Sequence, residues 1–138
     1  MQRSVLFVCQ FNSARSQLAE ALARSLDPPD FRFMSAGVER TVVNAEVVAS
    51  LREIGIDASG HRSKSLEDVA AERFDDVIVL AEDAAEPAAG RFPHARLHRW
   101  FMSDPIQAKP PERVPAAVRA ARDALAERVA RWLREQAA

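Results

Sequence analysis

The stretch Ser4–Val8 carries the continuous apolar run Val5-Leu6-Phe7-Val8, which fits a short strand buried on both faces of a parallel sheet and ending at Cys9. After a polar loop, Ala14, Leu18, Ala21, Leu22 and Leu26 recur at three- and four-residue steps, predicting an amphipathic helix that stops before Pro28-Pro29. A second strand is expected over Phe31–Met34, followed by a loop through Ser35-Ala36-Gly37. A helix then runs over Glu46–Ile54 with Val47, Leu51 and Ile54 inward and Gly55 at its C-terminal cap. Asp57–Ser65 reads as polar loop, Leu66–Ala71 as a short helix, and Asp76–Leu80 as the clearest strand of the chain. Ala81–Pro93 lacks firm periodicity and reads as a short helix plus loop, and Arg96–His98 as a last strand. Val114, Val118, Ala121, Leu125, Val129, Trp132 and Leu133 form one apolar stripe of a long final helix, with Pro115 tolerated in its first turn. Strands alternating with helices predict an α/β fold, without repeats or an interdomain linker.

Composition narrows the picture. The length of 138 residues fits one domain spanning 1–138, and 48% hydrophobic beside 28% charged residues is the balance of a soluble globular chain, which excludes disorder for most of it. A formal net charge of −1 gives no global field for a polyanion or an anionic bilayer, so neither nucleic acid nor membrane is expected as a partner. The first apolar run is far too short for a signal peptide or a membrane span, which leads to the expectation of a cytoplasmic protein. One cysteine, Cys9, and no tyrosine exclude an intramolecular disulfide, a structural zinc cluster and tyrosine-based chemistry.

The chemistry concentrates in Cys9-Gln10-Phe11-Asn12-Ser13-Ala14-Arg15-Ser16, between a buried strand and a helix start. A loop closing onto a helix N-terminus points successive backbone N–H groups inward, and with the helix dipole they form an oxyanion cradle running from Gln10 through Phe11, Asn12, Ser13 and Ala14 to Arg15. Those amides, the dipole and the Arg15 guanidinium favour the nucleophilic thiolate of Cys9. The planar fork of Arg15 can hold two oxygens of a tetrahedral anion, Ser16 can donate a hydrogen bond to the sulfur, and Asn12 suits a left-handed or side-chain brace within the loop. The alternative is a buried, inert thiol at a strand end beside a surface arginine. Asp104-Pro105 lies in a loop at what should be the same sheet edge, where the aspartate can act as general acid or simply open a turn.

Together these residues resemble the superfamily of low-molecular-weight protein tyrosine phosphatases and the arsenate reductases built on the same fold. Cys9 to Ser16 matches its signature of cysteine, five residues, arginine and serine, with asparagine fourth, and Asp104-Pro105 matches its general-acid pair. The resemblance implies a four-stranded parallel sheet flanked by helices, and neither a metal nor a bound cofactor for the covalent step. Arg15-Ser16-Gln17-Leu18-Ala19-Glu20, Ser35-Ala36-Gly37, Val43-Asn44, Gly55-Ile56-Asp57 and Ser63-Lys64 are closer to the reductase branch. Phosphatases of this family carry proline where Gln17 stands, and tyrosines where Ile106-Gln107 follow Asp104-Pro105; Phe11, Trp100 or Phe101 could replace part of such aromatic walls. Thioredoxin-linked reductases carry two further cysteines where this chain has Ala81 and Ala88, so an internal disulfide relay is impossible. Some reductases also hold an alkali cation near the cradle with an acidic residue beside the Ser63 position; Lys64 stands there and reads as solvated, with no metal expected.

Three functions follow from this resemblance. The first is an arsenate reductase with Cys9 as nucleophile, Arg15 as anion binder, Ser16 as thiolate stabiliser and Asp104 as acid. The adduct of Cys9 is resolved by an external thiol, glutathione or mycothiol, with a glutaredoxin-like protein completing the cycle. The second is a phosphomonoesterase acting on phosphate esters through a phosphocysteine on the same residues. The third is a catalytically weak oxyanion-binding module.

Overall fold

The buried apolar runs pair into one parallel sheet. In the computed structural model, which describes residues 2–137, the strands are β1 (Arg3–Cys9), β2 (Phe31–Gly37), β3 (Asp76–Val79) and β4 (Arg96–Arg99), all parallel and in the order β2-β1-β3-β4. The principal helices are α1 (Arg15–Leu26), α2 (Ala45–Arg52), α3 (Ala85–Arg91) and α4 (Val114–Ala137), joined by short 3₁₀ turns. β1 has a neighbour on each side and a cover on each face, which is why Val5 to Val8 are completely buried. The chain passes from β1 to β2 on one side and to β3 on the other, so the connections diverge at the C-terminal end of β1, where open α/β sheets bind ligands.

The in-register pairing sorts side chains between the two faces. Arg3, Val5, Phe7 and Cys9 share a face with Phe31, Phe33 and Ser35 of β2, Asp76 and Ile78 of β3, and Arg96 and His98 of β4. α4 closes this face through Trp132, whose ring meets Phe31, His98 and Trp100 at centroid distances of 5.9, 5.7 and 6.2 Å. Along α4 the stripe Val118, Ala121, Leu125, Val129 and Trp132 is buried as its periodicity requires, and the helix packs against α1 and α2. No helix among the described residues is long and apolar enough to cross a membrane.

Several boundaries differ from the sequence pattern. Ser35-Ala36-Gly37 is the end of β2 and not a loop: its partners are Phe7, Val8 and Cys9, and the Ser35 hydroxyl, which gives the segment its loop-like character, is satisfied inside the fold. α2 ends at Arg52, so Ile54 is not inward but 46% exposed. The helix closes there because Gly55 adopts φ +83°, its N–H donates to the Arg52 carbonyl and the Ile56 N–H to the Leu51 carbonyl, turning the chain before Ile54 can reach the core. The expected helix over Leu66–Ala71 is one 3₁₀ turn, Glu67–Val69.

At the N-terminal edge of the sheet lies an ion cluster built on Asp76, whose side chain is fully buried. Arg3 Nε donates to Oδ2 at 2.6 Å, Arg96 Nε to Oδ1 at 3.1 Å, and His98 Nε2 lies 2.9 Å from Oδ1. Burial alone would push this carboxyl up, but the hydrogen bonds from Arg3, Arg96 and His98 outweigh it and hold the group well below the usual carboxylate range. Because the folded value is depressed, the stabilisation is present above about pH 4 and is lost as pH falls through the folded value. Asp76→Asn should therefore destabilise the protein by about 3 kcal/mol at pH 7, leaving Arg3 and Arg96 without their counter-charge, and should flatten the acid limb of the stability profile. Urea unfolding at pH 7 and pH 3 checks both; equal stability of the variant at pH 7 would refute the role of the cluster.

Candidate active site

Every carbonyl from Cys9 to Ala14 has a partner. The Val38 and Glu39 N–H groups donate to the Cys9 and Gln10 carbonyls at 3.2 and 2.9 Å, and the Asn44 and Leu18 N–H groups to those of Ser13 and Ala14 at 3.0 and 2.9 Å. The Ser63 hydroxyl donates to the Phe11 carbonyl at 3.0 Å and Gln17 Nε2 to the Asn12 carbonyl at 3.3 Å. The N–H groups of Phe11, Asn12, Ser13 and Ala14, by contrast, have no protein acceptor among the described residues. A loop with its acceptors tied back and its donors free, ending at the first turn of α1, is electropositive where it faces Cys9.

Asn12 holds this shape. It is completely buried with φ +50°, the left-handed conformation that asparagine tolerates better than most residues. Its Nδ2 donates to the hydroxyls of Ser16 at 2.7 Å and Ser35 at 3.0 Å, and its Oδ1 accepts from Gln17 Nε2 and the Lys64 N–H, each at 2.8 Å. All the hydrogen-bonding capacity of the amide is thereby filled. Gly37 lies against the same loop: a Cβ there would stand 2.6 Å from the Asn12 nitrogen and 2.6 Å from the Glu39 carbonyl oxygen, so only glycine fits.

The bonds around Asn12 orient the hydroxyls. Ser16 Oγ accepts from Asn12 and lies 2.9 Å from Cys9 Sγ, within hydrogen-bond reach of the sulfur, so it can donate to a thiolate there. Ser35 Oγ also accepts from Asn12 and donates to Glu20 Oε1 at 2.5 Å. Cys9 itself is 2% exposed. Arg15 Nη1 donates to the Met102 carbonyl at 2.9 Å, and its Nη2 lies 3.8 Å from Asp104 Oδ2. Asp104 opens a turn, since Oδ1 accepts from the Ile106 N–H and caps the 3₁₀ turn Pro105–Gln107, while Oδ2 lies on the Arg15 side.

The structure thus brings Cys9, Asn12, Arg15, Ser16 and Asp104 to one sheet edge, with Ser13 and Ala14 buried and Gln10 and Phe11 at the rim. Of the aromatic residues considered as walls, Phe11 and Phe101 are exposed, but Trp100 is 8% exposed and packs on Phe7 and Trp132, so it belongs chiefly to the core. Lys64 is not solvated. Its side chain is 14% exposed and its Nζ lies 3.7 Å from Oε1 of the buried Glu20, so the ammonium supplies the positive charge at that place, where Arg24 also reaches Glu20 at 3.2 Å. This donor set is filled by side chains and does not fit an added alkali cation. Burial pushes the Lys64 ammonium down, with Glu20 opposing; burial likewise pushes His61 down, and its Nδ1 donates to Gln17 Oε1 at 3.2 Å.

Sequence reading missed Glu20, Ser35, Gln17 and Gly37 as supports. The available signal was the polar series Asn12, Ser16, Glu20 at four-residue spacing, which runs along one side of the loop and α1 among apolar neighbours.

Comparison with known proteins gives a consistent picture. Residues 4–136 match the family model of low molecular weight phosphotyrosine protein phosphatases. An arsenate reductase of Bacillus licheniformis is 33% identical over 132 residues, covering 95% of each chain. The fold superposes on a solved arsenate reductase in its phosphate-binding state with a TM-score of 0.80 at 29% identity, covering 97% of this chain and 98% of that one. It also superposes on a low molecular weight protein tyrosine phosphatase from T. tengcongensis with a TM-score of 0.67 at 28% identity, covering 92% and 99%.

Asn12→Ala removes the side-chain bonds and the residue suited to φ +50°, and should lower stability by about 2–4 kcal/mol and sulfate affinity at least about tenfold. Asn12→Gly should recover about 1 kcal/mol of the stability through its backbone but not the affinity. Denaturant unfolding and calorimetric sulfate titration separate the two effects; unchanged sulfate binding in Asn12→Ala would show that the loop holds its shape without the amide.

Proposed function

The chain belongs to the low molecular weight phosphotyrosine protein phosphatase family, and from that premise we propose that it reduces arsenate to arsenite with Cys9 as its nucleophile. The observation that carries this reading is the row of unpaired N–H groups from Phe11 to Ala14 beside Cys9, with Arg15 at its end. These donors suit the oxygens of a tetrahedral oxyanion, and Ser16 suits the sulfur as nucleophile and later as leaving group. The similarity to the Bacillus licheniformis arsenate reductase favours arsenate over a phosphate ester.

The chemistry balances without a second cysteine. The Cys9 thiolate attacks arsenic, an S–As bond forms, and an As–O bond breaks with the oxygen leaving as water after taking a proton from Asp104. An external thiol then attacks the Cys9 sulfur. The S–As electron pair departs with arsenic, reducing it from the pentavalent to the trivalent state, and the two sulfurs are left as a mixed disulfide. A second thiol, or a glutaredoxin-like protein carrying one, displaces Cys9 and restores the enzyme. Two thiols are oxidised to one disulfide for each arsenate reduced.

A phosphatase reading is favoured by one observation, the position of Asp104 beside Arg15, where a carboxyl could protonate the leaving oxygen of an ester. Arsenite formation with glutathione or mycothiol and a glutaredoxin-type partner, measured in parallel with aryl phosphate hydrolysis, decides between them. Arsenite release without rapid ester hydrolysis is expected. Rapid hydrolysis without arsenite would overturn the reductase reading, and sulfate binding without turnover in either assay would indicate a binding module. Cys9→Ser should lose at least about a thousandfold in activity while keeping its fold, because the hydroxyl is far less nucleophilic than a thiolate. Ser16→Ala should lower kcat about 10- to 100-fold through the lost hydrogen bond to the sulfur.

A further inference from the structure

Beside the candidate active site, a groove of about 410 Å³ runs between the segment Arg99–Met102 and the outer side of α4 around Arg128 and Arg131. Met102 belongs to both places, since it lines the groove and its carbonyl accepts from Arg15. The groove therefore meets the Cys9 end of the sheet at Met102 and runs from there along α4 toward Arg131. Its charge is one-sided: three arginines face it against one acid, Glu127. Arg3, Arg15, Arg24, Arg119 and Arg122 each face a carboxylate, whereas Arg99, Arg128 and Arg131 pair with none among the described residues. Arg128 is held in place, with its guanidinium 4.8 Å over the ring of Trp100, and Trp100 is anchored on Phe7 and Trp132. The exposed ring of Phe101 supplies an apolar surface between the charges.

A fixed cation, two further unpaired guanidiniums and a volume within the range of small-ligand sites suit a compact molecule with more than one carboxylate. Resting on the reductase reading, we propose that this groove seats the carboxylates of the thiol that resolves the Cys9 adduct. It thereby selects a carboxylate-bearing low-molecular-weight thiol such as glutathione over a neutral sugar-linked thiol such as mycothiol. The seated thiol attacks Cys9 Sγ, arsenic leaves as arsenite with the S–As electron pair, and a second equivalent of the same thiol releases Cys9 from the mixed disulfide.

The test uses S-methylglutathione, which carries the carboxylates but cannot react, and its dimethyl ester, which lacks the negative charges. Titration followed by calorimetry and amide chemical shifts should show S-methylglutathione binding with shifts at 99–102 and 124–131, and the ester binding at least about tenfold more weakly. Raising KCl from about 50 to about 500 mM should weaken the first and leave the second unchanged, which tests the proposal without any variant. In the double variant Arg99→Glu, Arg131→Glu, binding should fall at least about fivefold, and so should the ratio of kcat/KM with glutathione to that with mycothiol. Salt-insensitive binding, equal binding of acid and ester, or an acidic peptide saturating the groove where S-methylglutathione does not would overturn the proposal. Charge-dependent binding without arsenite formation from any thiol would uphold the groove and overturn the reductase reading.

Discussion

Asn12 is the point through which the loop, the helix and the sheet edge constrain one another. Its side chain ties Ser16 on α1, Ser35 on β2 and the backbone at Lys64 into one assembly, and its left-handed backbone sits in a loop whose carbonyls are bonded to protein and whose N–H groups from Phe11 to Ala14 have no acceptor among the described residues. An amide with both hydrogens and both lone pairs engaged has one low-energy orientation, and each neighbouring hydroxyl inherits its direction from that orientation. The Asn12 bond fixes the Ser16 oxygen 2.9 Å from the Cys9 sulfur, where its hydroxyl can donate to a thiolate. The shape of this edge thus originates in a residue that is itself completely buried.

Beneath the loop lies a second layer of polar groups. Glu20 is buried yet faces Ser35, Lys64 and Arg24, so its charge is compensated from several directions. Gln17 spans from Asn12 to the 61–62 backbone and side chain region, linking the start of α1 to the loop that precedes β3. The sheet therefore has two electrostatically distinct ends. At the N-terminal edge Asp76 gathers Arg3, Arg96 and His98 into a closed cluster with its acceptors occupied, while at the C-terminal edge donors outnumber acceptors. The closed end holds strands together, while the open end keeps donors available.

Much of this was legible in the chain. The succession of strands and helices, the α4 stripe and the Cys9-to-Ser16 loop follow from continuous apolar runs, from the 3.6-residue period and from residue types with few alternative uses. What escaped was polar and non-local. Ser35 looked like loop because serine and glycine usually are, and only its partners, Asn12 and Glu20, explain a strand there. Lys64 looked solvated because lysines usually are, and the buried carboxylate that draws it in lies 44 residues earlier in the chain. Ile54 fitted the helical period, but the positive φ of Gly55 ended the helix first. Trp100 is both wall and core: it lines the groove beside α4, while the rings that hold it in place come from β1 and α4.

The fit of Gly37 against Asn12 reaches beyond the site it helps to shape. In the parallel register Gly37 stands opposite Cys9, and its neighbours in sequence are Ala36 and Val38. A slip of β2 by one residue in either direction would bring a side chain to a place where even one carbon stands 2.6 Å from backbone, besides exchanging the two faces of the strand. The contact that shapes the loop thus also disfavours a misregistered β2, because any side chain brought to the Gly37 position would meet backbone.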